Sequence, residues 1–149
     1  MSGICEGRVV IITGAGGGLG AAHARVLASE GARVVVNDIN EAAAQAVVDD
    51  IRKAGGEAVV NISDITHYDD SLNAVKQAID AFGDLHAVIN NAGVNRDRMF
   101  ASMTEAEWDT IMAVHLKGHF CISSHAVHYW RGQSKEGKAV DARIINTTS

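Results

Sequence analysis

Arg8-Val-Val-Ile-Ile-Thr-Gly-Ala-Gly-Gly-Gly-Leu-Gly20 runs without interruption from a β-branched apolar stretch into a glycine cluster and on into a segment of helical period. The stretch from Arg8 to Thr13 is apolar on both faces, as a strand covered by helices on each side of a parallel sheet must be. Glycines directly after it supply a tight turn that other residues resist. Working outward, the same passage repeats. Arg33 to Asp38 (RVVVND), Ala58 to Ser63 (AVVNIS), Ala87 to Asn90 (AVIN) and Ala142 to Thr147 (ARIINT) are short Val/Ile-rich runs separated by helical segments. They predict five parallel strands.

Between the runs, Tyr68, Leu72, Val75, Ile79 and Phe82 step by four and three and lay one apolar stripe along a helix. Ala44, Val47, Val48 and Ile51 do the same before them, and Leu19, Ala22, Val26 and Leu27 in the first helix. The fourth connection is longer. Thr104 and Glu107 have capping-box spacing, and from Trp108 an apolar stripe continues through Ile111, Met112 and Leu116 toward Ile122, Ala126, Val127 and Trp130. Arg131 to Asp141 is polar and reads as a surface loop. Strict alternation implies right-handed βαβ crossovers and an α/β fold, a doubly wound parallel sheet of the Rossmann type.

Composition narrows the function classes. The 149 residues contain no proline, where average usage of about 5% would give roughly seven, so proline-rich recognition tracts are excluded. With 47% hydrophobic and 21% charged residues the chain can bury a core, built from aliphatic side chains because aromatics make up only 5%. A net charge of −5 with scattered Lys and Arg lacks the footprint of a nucleic-acid or anionic-membrane binder. Cys5 and Cys121 form no CxxC and read as reduced thiols. With no signal-peptide pattern and no long apolar stretch, a cytoplasmic protein is expected.

Chemistry gathers at the strand ends. Thr13-Gly-Ala-Gly-Gly-Gly-Leu-Gly20 strips side chains from a helix N-terminus, where free amides and the helix dipole favour a pyrophosphate. Such a turn can also serve packing alone. Asp38 closes the second run, where a carboxylate can accept both ribose hydroxyls of an adenosine and would repel a 2′-phosphate. A plain turn carboxylate is the competing reading. No Arg or Lys stands beside Asp38, so NAD is favoured over NADP.

The spacing Thr-Gly-x-x-x-Gly-x-Gly resembles that of the short-chain dehydrogenase/reductase family. Three further segments carry the resemblance: Asn90-Asn-Ala-Gly93 is similar to the family's NNAG signature, Asp64-Ile65 to its adenine-holding position, and Arg143-Ile-Ile-Asn-Thr-Thr-Ser149 to the strand bearing its catalytic serine. Within the family, Val34 to Asp38, Asn95 to Phe100 and Val114 to Phe120 look most like (3R)-hydroxyacyl-CoA dehydrogenases of multifunctional β-oxidation enzymes, then 3-oxoacyl-carrier-protein reductases. The resemblance implies cofactor contacts at Thr13, Gly14, Gly16, Gly17, Gly18, Leu19, Gly20, Asp38, Asp64, Ile65, Asn91, Ala92 and Gly93. It implies catalytic roles for Ser149 and His115, NAD as cofactor, a small-molecule substrate such as a 3-hydroxyacyl or 3-oxoacyl thioester, and a homodimer or homotetramer for the complete protein.

Two departures qualify it. His115 stands where many members have a catalytic Asn, and can be read either as part of a proton relay or as a packed helix histidine. The family's Tyr-x-x-x-Lys pair has no counterpart: Tyr68 and Tyr129 are followed four residues on by Leu72 and Gln133. The chain is therefore expected to be an NAD-binding domain incomplete at its C-terminus and inactive alone; a non-catalytic nucleotide-binding or assembly module is the alternative. Paired histidines (His115 with His119, His125 with His128) have a spacing that could hold a metal, but without HExxH or Glu-x-x-His no metal is expected. A methyltransferase would share the glycine turn and the acid, yet leaves NNAG and Ser149 unexplained. Walker-type hydrolysis is excluded by the missing Gly-Lys-Ser/Thr.

Overall fold

The computed structural model describes residues 3–148. Its elements are β1 (Val9–Thr13), α1 (Gly18–Ser29), β2 (Arg33–Asn37), α2 (Glu41–Lys53), β3 (Glu57–Asn61), α3 (Tyr68–Phe82), β4 (Ala87–Asn90), α4 (Glu105–Met112), α5 (His119–Lys135) and β5 (Arg143–Asn146). All five strands are parallel, in the order β3-β2-β1-β4-β5. The doubly wound sheet expected from the sequence is therefore present. β1 to β3 run outward one way and β4 and β5 the other, so the chain reverses direction between β1 and β4. Ligand clefts of open α/β sheets form at that reversal.

Alternation along the strands divides the core between two helical layers. Val10, Ile12, Val34 and Val36 face α1 and α2, whereas Val9, Ile11, Val35 and Val88 face α3 and α5. Burial of each such side chain contributes roughly 1.5–3 kcal/mol. β3 ends at Asn61, two residues before the expected limit, because the Asn61 side chain captures the Ser63 amide and turns the backbone off the sheet.

α2 buries the predicted stripe of Ala44, Val47, Val48 and Ile51. α1 does not follow its forecast: Gly20, Ala21, Ala24 and Ala28 face the sheet, while Leu19 and Val26 are 66% and 60% exposed. Small residues let this helix lie close on β1 and β2; of the larger side chains of the forecast stripe, Leu27 packs partly against the core, while Leu19 and Val26 are turned outside. On α3 the buried line is Ser71, Ala74, Val75 and Ala78, with Ile79 and Phe82 only partly covered.

The fourth connection begins with a short 3₁₀ turn, Phe100–Ser102, and the expected capping box: Thr104 Oγ1 accepts the Glu107 amide and Glu107 accepts the Thr104 amide. Between α4 and α5 the helix widens into a π segment, Ala113–Gly118. That widening shifts the register of the predicted stripe. Ile122, Ala126 and Trp130 are buried, but Trp108, Leu116 and Val127 are exposed. α5 also runs to Lys135, into the expected loop, since Arg131, Gln133 and Lys135 are good helix formers and the left-handed Gly137 ends it.

Ala24→Leu should overpack the α1–sheet contact and lower stability by about 1–3 kcal/mol in urea unfolding. Leu19→Ala, on the outer face, should change the midpoint little.

Candidate active site

The loops after β1, β2, β3 and β4 enclose a cleft of about 470 Å³ at the β1/β4 reversal, within the range of small-ligand sites. A hollow of about 550 Å³ at the opposite end of the sheet, between the C-terminal ends of α1 and α2, is lined by turns, by Glu6 and by the exposed Arg25–Asp50 ion pair.

The cleft's floor is a junction between the glycine turn and the β4 loop. Thr13 is fully buried, and its Oγ1 accepts the amides of Asn91 and Ala92, each at 3.0 Å. Asn91 Nδ2 donates in return to the carbonyls of Thr13 and Gly14, at 3.1 and 3.3 Å. The contact is so close that a Cβ on Gly14, whose φ is +61°, would lie 2.7 Å from Ala92 Cα. One on Gly20 would lie 2.4 Å from the Gly14 carbonyl oxygen. At Gly17 and Gly18 no neighbour stands within 4 Å of such a position. Here α1 begins without a side-chain cap and with no acid in its first turn. An open, uncapped helix N-terminus of this kind has the shape and dipole that a pyrophosphate requires.

Asp38 follows β2 directly. Its Oδ2 accepts the Gly16 amide and its Oδ1 the Asn40 amide, both at 2.9 Å, which aims the carboxylate across the turn and leaves lone pairs free. Asp64 follows β3. Burial pushes its carboxyl up, but the Thr66 hydroxyl and amide, together with His67, outweigh this and hold it below the ordinary carboxylate range. Ile65 is buried beside it, against Gly118 of the π segment.

The structure therefore brings Gly14, Gly17, Asp38, Asp64, Ile65, Asn91, Ala92 and Gly93 to one cleft. Thr13 lies beneath it, Gly16 beside Asp38, and Gly18, Leu19 and Gly20 in the first turn of α1. Ser149 falls outside the described residues. His115 projects from the π segment onto the β4 loop. Its Nε2 sits 2.8 Å from the Val94 carbonyl oxygen and 3.1 Å from the Val94 amide nitrogen, so one tautomer donates there and the other accepts. The imidazole lies so near Gly93 that a Cβ there would meet it at 2.8 Å. Burial and His115 together hold the His119 imidazole below its ordinary pKa.

The remaining candidates lie elsewhere. His125 Nε2 is 2.7 Å from the Tyr68 carbonyl and His128 Nδ1 2.7 Å from that of Ser124. Among the described residues no three His, Cys, Asp or Glu side chains converge as metal ligands would. Tyr129 is pushed up to about 12 by burial and by Asp84, which its hydroxyl bonds. That is the reverse of a phenol activated as a base. Burial likewise pushes the Cys121 thiol up, and both cysteines are free.

Ile39, Val94 and Val114 also line the cleft, although no motif announces them. Ile39 could have been found as an apolar residue left exposed, at 75%, beside a strand-end acid. Val114 opens the Val114–Phe120 segment that resembles the family, but that resemblance gave it no place in the cleft, since the π segment that presents it leaves no pattern in the sequence.

Thr13→Val removes the acceptor of two amides and should cost about 1–3 kcal/mol in thermal unfolding. Thr13→Ser, which keeps the hydroxyl, should retain most of that stability.

Comparison with known proteins agrees with this geometry. Residues 8–149 match the family profile described as short chain dehydrogenase. Hydroxyacyl-CoA dehydrogenase ChsB1 of Mycobacterium tuberculosis is 44% identical over 97% of this chain and 47% of its own length. Peroxisomal multifunctional enzyme type 2 of Mus musculus is 41% identical over 97% of this chain and 20% of its own. A crystal structure of a short chain dehydrogenase from Mycobacterium avium is similar with a TM-score of 0.96 and 54% identity, covering 99% of this chain and 56% of that one. The chain spans about half the length, or less, of these relatives. A parallel doubly wound sheet, a glycine turn locked to an Asn-Asn-Ala-Gly loop and the match over residues 8–149 have one explanation: the chain belongs to the short-chain dehydrogenase family.

Proposed function

We propose that the intact protein transfers a hydride between NAD(H) and a secondary alcohol or ketone, with 3-hydroxyacyl and 3-oxoacyl thioesters as the first substrates to try. The observation that carries the cofactor reading is the Asp38 carboxylate, fixed by the Gly16 and Asn40 amides at the rim of the cleft, with no lysine or arginine among the described residues paired to it. A carboxylate there accepts the hydroxyls of a bare ribose and repels a 2′-phosphate, which favours NAD over NADP. The thioester reading is supported by the printed names of relatives, a hydroxyacyl-CoA dehydrogenase among them.

The residues fit the cofactor, since side chains at Gly14 and Gly20 would close the cradle and Gly17 and Gly18 leave it open. When bound, NAD supplies the nicotinamide ring that accepts or donates the hydride. The amides of Gly17 and Gly18 hold the pyrophosphate, Asp38 the adenosine ribose and Asp64 the exocyclic amine of adenine, with Ile65 against the ring. Asn91, Ala92 and Gly93 form the wall toward the nicotinamide. His115 steadies that wall through Val94 and offers its imidazole to a proton relay. Ser149, by its resemblance to the family serine, bonds the substrate oxygen. Catalysis is assigned to the intact protein, and residues 1–149 are read as its NAD-binding domain.

The intact protein is further read as a cytoplasmic homodimer or homotetramer. The exposed Trp108, Leu116 and Phe120 support the assembly, and the two free cysteines support the compartment. No helix among the described residues is long and apolar enough to cross a membrane.

Asp38→Ala should weaken NADH binding roughly tenfold or more and NADPH binding much less, as fluorescence titration would read. Equal losses would remove the ribose assignment. Hydride transfer is checked by following NADH absorbance with 3-oxoacyl thioesters and with simple ketones; no turnover of any of them by the intact protein would overturn the activity.

A further inference from the structure

Asn37 and Asn61 are the last residues of β2 and β3 and are register partners across the sheet. Both are buried, as is Ser63. Asn61 is a hub between the two acid-bearing loops. Its backbone carbonyl accepts the Asp38 amide at 3.0 Å. Its Oδ1 accepts Asn37 Nδ2 at 2.7 Å and the Ser63 amide at 3.1 Å, immediately before Asp64. Asn37 Nδ2 also donates to the Ser63 carbonyl at 3.0 Å.

The bonds that Asn61 Oδ1 accepts from Asn37 and from the Ser63 amide depend on which way the Asn61 amide is turned. A flip would set its NH₂ against the Asn37 NH₂ and the Ser63 N–H, three donors with no acceptor among them. Gln77, on α3, holds the same amide from its other end. Its Oε1 accepts Asn61 Nδ2 at 2.8 Å, and its own orientation is set by Nε2 donating to the Val60 carbonyl at 2.6 Å. Gln77 lines a separate hollow on the outer side of β3 and does not reach the cleft.

We propose that Gln77 is a positioning residue for the adenosine end of the cleft: by fixing the Asn61 amide it holds the Asp38 and Asp64 loops in the spacing that receives the nucleotide. The proposal rests on the reading that the cleft takes NAD(H). Gln77 is therefore felt in affinity for the adenosine half and not in the chemistry at the nicotinamide.

Two substitutions in the intact protein separate the bonds. Gln77→Lys keeps a donor for Val60 and loses the acceptor for Asn61, whereas Gln77→Glu keeps the acceptor and loses the donor. Calorimetric titration with NADH and with ADP-ribose should show Gln77→Lys weaker by roughly three- to tenfold for both, and Gln77→Glu within about twofold of the parent. Reduced nicotinamide mononucleotide, which lacks the adenosine half, should bind all three alike. General electrostatics predicts the opposite order, since both nucleotides are anions that Lys attracts and Glu repels. Should Gln77→Lys not fold, the neutral Gln77→Met serves in its place with the same expectation. Lys and Met variants that match the parent, a Glu variant as weak as they are, or an equal loss for the mononucleotide overturns the positioning role. A parent protein that binds neither NADH nor ADP-ribose overturns the cofactor reading beneath it, a result distinct from each of those.

Discussion

The site depends on one close approach, the β4 loop lying directly on the glycine turn after β1. Thr13 Oγ1 takes two amides of that loop, Asn91 returns two bonds to the turn, and Gly14 lets the two backbones meet where any Cβ would collide with Ala92. Both segments end parallel neighbours, so their backbone groups leave the sheet ladder together and need new partners. They find them in each other. The junction closes the cleft's floor at the reversal of the sheet and leaves the α1 N-terminus open above it.

Charge is arranged to suit that opening. α1 begins with no acid and no side-chain cap, so its dipole and free amides are reserved for what enters the cleft. The two nearby carboxylates have different partners: Asp38 accepts the Gly16 and Asn40 amides, and Asp64 accepts the Thr66 hydroxyl and amide with the His67 imidazole beside it. Among the described residues neither carboxylate is paired with a lysine or arginine. Each acid remains available to hydroxyl or amine donors.

Much of this arrangement was legible along the chain. The five β-branched runs, the α2 stripe and the Thr104–Glu107 cap are local patterns, and each formed within a residue or two of its reading. The glycine turn and Asp38 were legible from the tight turn and the strand-end position, whereas Asp64 and the Asn-Asn-Ala-Gly loop were read only through their resemblance to the family. The face of α1 was not. The spacing of Leu19, Ala22, Val26 and Leu27 suggested a buried stripe, yet the sheet selected Gly20, Ala21, Ala24 and Ala28, small residues that let the helix lie close. The π segment was invisible too, since it arises where Gly118 seats against Ile65 from a distant loop.

The sequence by itself determined the order of strands and helices, the glycine turn and the placing of acids at strand ends. Period, propensity and turn geometry act between near neighbours, and a single chain carries that information in full. Only the tertiary structure decided that Thr13 would receive the Asn91 and Ala92 amides, that His115 would reach Val94, and that Gln77 would set the Asn61 amide. Those bonds join residues 16 to 79 positions apart, and which donor meets which acceptor is fixed only when strand register and helix packing have brought the segments together.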